Sequence, residues 1–187
     1  AKLVVELLQS TDPPFVFRLS DAGLPPTLVR RQPQSGETIQ TEMISMQLTG
    51  NHPLTGPVTV RAGSAFGLPS STGAIEDVVQ DPSSCELTSG DSFFDVFVEI
   101  ELPGLGEVWH NEPTQPLRVQ RRLHRLPPKD DPYENPFVDP VLLFDATGQP
   151  RAQVLYELHH ADPPLPPPGQ DCFDTTLDAV LEIPALG

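Results

Sequence analysis

Proline sets the terms on which this chain can fold. It occurs 24 times in 187 residues. Each proline lacks a backbone N–H, fixes φ near about −65° and breaks helix interiors and central strands. The chain is therefore divided into short elements joined by stiff connections, and long helices are nearly excluded. Between the prolines the dominant pattern is alternation. In Ser92–Leu102 (SFFDVFVEIEL), Phe94, Val96, Val98, Ile100 and Leu102 share one face, and Phe93, Asp95, Phe97, Glu99 and Glu101 the other. A period of two in aromatic and β-branched residues is that of a strand with one buried and one wetter face. This stretch is expected to be the central strand of an antiparallel sheet.

Leu3–Leu8, Phe15–Leu19, Thr27–Arg31, Thr38–Thr49, Val58–Arg61, Leu117–Leu126, Val141–Phe144, Arg151–His159 and Phe173–Ile183 read as further strands, each bounded by turn residues. Spacing places Ile44, Met46 and Leu48 on one face of the fourth, and turns Ala152, Val154, Tyr156 and Leu158 of Arg151–His159 inward. From Ala62 to Gly90 the alternation fails, predicting a long loop with a helical turn at Ala74–Gln80. Pro163–Gly169 is a polyproline-type spacer. About nine to ten strands without strand–helix alternation predict a single all-β domain over residues 1–187, an antiparallel two-sheet sandwich with long proline-rich loops.

The polar faces predict one pairing. Asp95, Glu99 and Glu101 face outward on the central strand, and Arg118 and Arg122 on Leu117–Leu126. Opposite charges across neighbouring strands contribute about 0.2–1 kcal/mol each, so the two strands are expected to pair antiparallel. Phe93 and Phe97 share that outer face and need cover, from the 103–116 loop or from another subunit. The wider cluster Arg118, Arg121, Arg122, Arg125 and Lys129 either neutralises these acidic strands or docks an acidic surface.

A net charge of −15 argues against nucleic acid and against anionic membrane surfaces as partners. No run of about 18 apolar residues predicts a membrane-spanning helix. The sequence begins at Ala1, which fits a mature secreted chain after removal of a leader at a small residue. Cys85 and Cys172 are expected to form a disulfide closing a loop of nearly ninety residues, worth about 4–5 kcal/mol and suited to an oxidising compartment.

Chemistry-bearing residues are sparse. The loop Lys129–Asp139 offers Asp130, Asp131, Glu134, Asn135 and Asp139, a solvated loop or an oxygen-rich calcium site without EF-hand spacing. His110, His124, His159 and His160, with Asp162, are expected at exposed strand ends rather than around zinc or copper, because adjacent His159 and His160 point to opposite faces. Trp109, Tyr133 and Tyr156 form a sugar-stacking platform, or Trp109 anchors a loop on the sandwich end. Gly63-Ser64-Ala65-Phe66-Gly67 has the glycines of a nucleophile elbow with Ala65 where the serine belongs. Leu3, Val5 and Leu7 belong to an ordinary first strand, or to one (residues 1–10) that adds to a neighbour's sheet edge.

TEMISMQLTG at 41–50, VTVRAG at 58–63, DSFFDVFVEIE at 91–101 and PPPGQDCFDTTLD at 166–178 resemble stretches of uncharacterised secreted, proline-rich β proteins of environmental bacteria. The resemblance implies export and a β fold, and carries no catalytic or binding residues. The expectation is a non-catalytic, secreted or cell-surface structural or interaction subunit without cofactor, engaging a protein partner or itself. The alternatives are a calcium- or carbohydrate-binding module and a hydrolase.

Overall fold

A computed structural model describes residues 2–8, 14–126, 128, 132–135, 140–162 and 170–181. Its strands are β1 (Lys2–Leu7), β2 (Phe15–Ser20), β3 (Thr27–Arg31), β4 (Ile39–His52), β5 (Gly56–Ala62), β6 (Ser71–Gln80), β7 (Leu87–Val96), β8 (Val98–Leu102), β9 (Glu107–His110), β10 (Leu117–Leu123), β11 (Tyr133–Glu134), β12 (Val141–Phe144), β13 (Pro150–Asp162) and β14 (Gln170–Leu181). A 3-10 turn at Ser64–Phe66 is the helical element among the described residues. The all-β, antiparallel expectation holds. The two-sheet sandwich does not: all 14 strands belong to one hydrogen-bonded sheet.

That sheet closes on itself. Following the ladders from β4 through β6, β7, β10, β11, β13, β14 and β3 leads back to β4, each step antiparallel. A second circuit runs from β4 through β5, β8, β9, β12, β13, β1 and β2 to β4. The long strands β4 and β13 serve both, so the sheet closes into a barrel divided into two compartments along these strands. Closure removes the exposed edges that an open sheet would present for aggregation. Large buried side chains line the second compartment: Phe17, Leu48, Ile100, Leu102, Trp109 and Leu143 are each 2% exposed or less. Burying each such side chain contributes about 1.5–3 kcal/mol.

Both shared strands are bulged between their compartments. On β4, Leu28 faces Ser45 while Val29 faces Met43, so Ile44 has no partner on β3. On β13, Val4 faces Tyr156 while Val5 faces Val154, so Leu155 has none on β1. One inserted residue reverses the parity of everything beyond it. Thr41 and Met43 therefore point inward with Met46 and Leu48, while Ile44 turns partly outward. On β13, Ala152 and Val154 point inward as expected, but beyond the bulge it is Glu157, not Tyr156 or Leu158, that is buried.

The predicted central strand spans β7 and β8, and Phe94, Val96, Val98, Ile100 and Leu102 are all buried. At Phe97 the ladder is interrupted and side chains substitute for it. Ser71 Oγ accepts the Phe97 N–H at 2.9 Å, and Asn111 Oδ1 accepts the Val98 N–H at 2.8 Å. The pairing of β7 with β10 is antiparallel, as predicted, and its register sets Arg118 opposite Asp95. Arg118 donates to both Asp95 oxygens, Nε at 2.7 Å and Nη2 at 2.6 Å. Its guanidinium carbon also lies 4.3 Å from the Phe93 ring centroid, covering that outward aromatic. The other charges distribute differently. Arg122 bonds Asp91, and Glu99 and Glu101 pair with Arg61 of β5. A double-mutant cycle on Arg118 and Asp95 is expected to give a coupling of about 0.5–1 kcal/mol, as for an exposed but bidentate pair.

Two further expectations are corrected, and the reading of Leu3–Leu8 as an ordinary first strand is met. Ala74–Gln80 belongs to strand β6, not a helical turn. Gly73 interrupts the alternation at its start: a Cβ there would lie 2.0 Å from the Phe93 carbonyl oxygen, so the close ladder admits only glycine. The expected disulfide is absent, because Cys85 is a free, exposed thiol in the β6–β7 turn. Cys172 lies on β14 opposite Leu28, and that turn is tied instead by Asp81, whose carboxylate accepts from the Ser83 and Ser84 N–H groups. β1 pairs with β13 and β2 of its own chain, with Leu3 and Val5 buried; the Leu7 side chain lies outside the described residues.

Candidate functional site

The compartment ringed by β3, β4, β6, β7, β10, β11, β13 and β14 is not filled. It holds a cavity of about 40 Å³. Val29 of β3, Met43 and Met46 of β4, Ile75 of β6, Phe94 of β7 and Val119 of β10 contribute apolar wall. Close-packed interiors leave few voids larger than a water molecule, so a hollow enclosed by so many strands is a feature of the fold. The space corresponds to about three waters, at roughly 10–15 Å³ each. An organic guest is larger than three waters, so it enters only where the wall gives way. Met43 and Met46 are unbranched and flexible, and can widen the cavity.

One wall is polar. Arg31, Thr41, Ser92, Tyr133, Glu157 and His159 all line the cavity. The Leu155 bulge turns Glu157 and His159 into it. Tyr133 lies opposite His159, and the Asn135 N–H donates to the Glu157 carbonyl at 3.1 Å, which pins this part of β13. Tyr133 also donates its hydroxyl to Ser92 Oγ at 2.9 Å and meets Phe94 edge-on. Glu157 is 2% exposed. Its Oε1 lies 3.5 Å from His159 Nδ1, at the long limit of a hydrogen bond, and its Oε2 has no partner among the described residues. Thr41 Oγ1, 6% exposed, also has none. Burial pushes the His159 imidazole below its ordinary value, against the opposing pull of Glu157.

A buried carboxyl oxygen without a partner is costly, about 1–3 kcal/mol or more. The site can therefore accept a hydrogen bond from a guest, and the apolar wall can take up the guest's hydrocarbon.

The sequence-derived candidates fall elsewhere. Asp130, Asp131 and Asp139 lie outside the described residues, and Glu134 is exposed on β11. Among the described residues no three His, Cys, Asp or Glu side chains are grouped to hold an ion. Trp109 is not a loop anchor but part of β9, 2% exposed in the second compartment. Arg118, Arg121, Arg122 and Phe93 border a polar depression on the outer face of β7 and β10. Phe97 is half-buried where β7 meets β8. His159 is not a solvent-exposed strand-end histidine: its side chain is 12% exposed. Sequence reasoning missed Glu157, whose neighbours alternate smoothly through the bulge.

No protein-family model and no curated protein matches the chain. Among solved structures, it is similar to DynF from the dynemicin biosynthesis pathway of Micromonospora chersina. The TM-score is 0.54 at 18% identity, over 95% of this chain and 86% of that one. The likeness establishes a shared fold. It also corrects two expectations, the non-catalytic structural subunit and the exclusion of enzymes: the fold is one that a biosynthetic-pathway protein uses.

Proposed function

We propose that the protein takes up a small, largely apolar organic molecule inside the β3–β4–β6–β7–β10–β11–β13–β14 ring. The observation that carries this reading is the apolar cavity with a buried, unpartnered carboxyl oxygen in its wall. Ligand sites are concave and mostly apolar, with a few placed polar groups, and the mouths and interiors of barrels are common places for them. The likeness in fold to DynF supports work on a small molecule rather than a scaffold role. The net charge of −15 disfavours approach of anions and suits a neutral guest.

The experiment is a calorimetric titration with butylbenzene and 4-butylphenol at neutral pH. Saturable one-to-one binding of either, with a negative heat-capacity change from apolar burial, is the expected result. Binding that never saturates, or many weak equivalent sites, would mean that the compounds coat the surface and that the cavity is not a site.

A further inference from the structure

We infer that the polar wall selects a guest bearing a neutral hydroxyl group, an alcohol or a phenol, held by Glu157 and Thr41; this deepens the reading of the cavity as a ligand site and rests on it. Two buried oxygens, Glu157 Oε2 on β13 and Thr41 Oγ1 on β4, lack partners among the described residues, and both residues line the same cavity. Glu157 Oε2 requires a donor. Thr41 Oγ1 can both give and receive a hydrogen bond. A hydroxyl is the group that meets both needs, donating to the carboxyl oxygen while its lone pairs face the threonine.

The same wall argues against charged guests. Arg31 is permanently cationic, and with His159 it lines the cavity alongside Glu157, so an ammonium would meet a like charge there. A carboxylate would bring its charge against the carboxyl oxygen of Glu157. Each ion would also meet an attractive group, Glu157 for an ammonium and Arg31 for a carboxylate, so the discrimination rests on the cost of stripping an ion's water in a mostly apolar site. A neutral hydroxyl enters with only one polar group to desolvate, and gains the bond that Oε2 otherwise lacks. Sites built to bond a substrate hydroxyl discriminate strongly against the analogue without it, because their own polar groups are then left buried and unpaired.

The test compares 4-butylphenol, 4-phenylbutanol and butylbenzene on the full chain, its Glu157→Leu and Glu157→Gln variants, and Thr41→Val. In the unmodified protein at least one hydroxyl compound is expected to bind about tenfold or more tighter than butylbenzene. Which of the two does so distinguishes a phenol from an alcohol. In Glu157→Leu the preference falls below about threefold while butylbenzene still binds. Glu157→Gln, which keeps an acceptor oxygen, retains most of it, and Thr41→Val loses part. Equal affinities in the unmodified protein would overturn the hydroxyl inference, with water satisfying the wall, and would leave the ligand cavity standing. A preference that survives Glu157→Leu would overturn it too. If none of the three compounds binds, the cavity reading itself fails. Should Glu157→Leu not fold, Thr41→Val carries the same comparison, and an undiminished preference there counts against the inference.

Discussion

Val29→Phe and Val119→Phe are each expected to reduce affinity for the cavity ligand by about a hundredfold or more while leaving the fold intact. Val29 and Val119 are 3% and 4% exposed and line the cavity from β3 and β10. A phenyl ring built from either position occupies the hollow that a guest would use. Two effects compete for stability. Filling empty apolar space is favourable, while forcing a ring into a wall that does not yield costs about 1–3 kcal/mol. Because the interior is already hollow, the terms nearly offset, and the melting temperature should move by only about 5 °C. Thermal melts paired with the butylbenzene titration check this. Full binding in both folded variants would place the ligand elsewhere.

Gly63→Ala is expected to destabilise the protein by about 2–4 kcal/mol, because strain and clash act together there. Gly63 has φ of 100°, and a Cβ there would sit 2.4 Å from the Ile44 carbonyl oxygen, at the β4 bulge. Both the backbone strain and the clash act against alanine. Gly67→Ala is the control. Gly67 also has positive φ, 74°, but open space where its Cβ would go, so only about 1 kcal/mol should be lost. Denaturant unfolding of the two variants separates the terms. Because the Ile44 bulge aims Thr41 and Met43 into the cavity, Gly63→Ala should also weaken ligand binding in whatever fraction remains folded.

Local pattern exposed much of the architecture. The unbroken alternation of Ser92–Leu102 predicted its buried face, and the charges on Asp95 and Arg118 predicted a strand pair that lies far apart in sequence. Closure was not legible, because it depends on ladders such as β4–β6 and β13–β11 whose partners carry no such signature. The two-sheet sandwich and the barrel share the same short amphipathic strands. They differ only in which edges meet.

The site was hidden by its own construction. Ile44 and Leu155 are ordinary strand formers, so nothing in their side chains announces a bulge. Continued alternation through Arg151–His159 puts Glu157 in water, and the inserted residue at Leu155 puts it in the cavity wall instead. Bulges often re-aim side chains beside functional sites in this way. The pairing of an acidic residue with a histidine two positions later, EXH on one strand face, was the available signal.

The chain contains two methionines, Met43 and Met46, and both line the cavity. Labelling their methyl groups with carbon-13 therefore yields two NMR signals that report from the proposed site and from nowhere else. Titrating 4-butylphenol into this sample tests the hollow, ligand-binding barrel directly. The account predicts that both resonances shift and saturate together at one equivalent. Saturable binding seen by calorimetry with both methyl signals unmoved would contradict it.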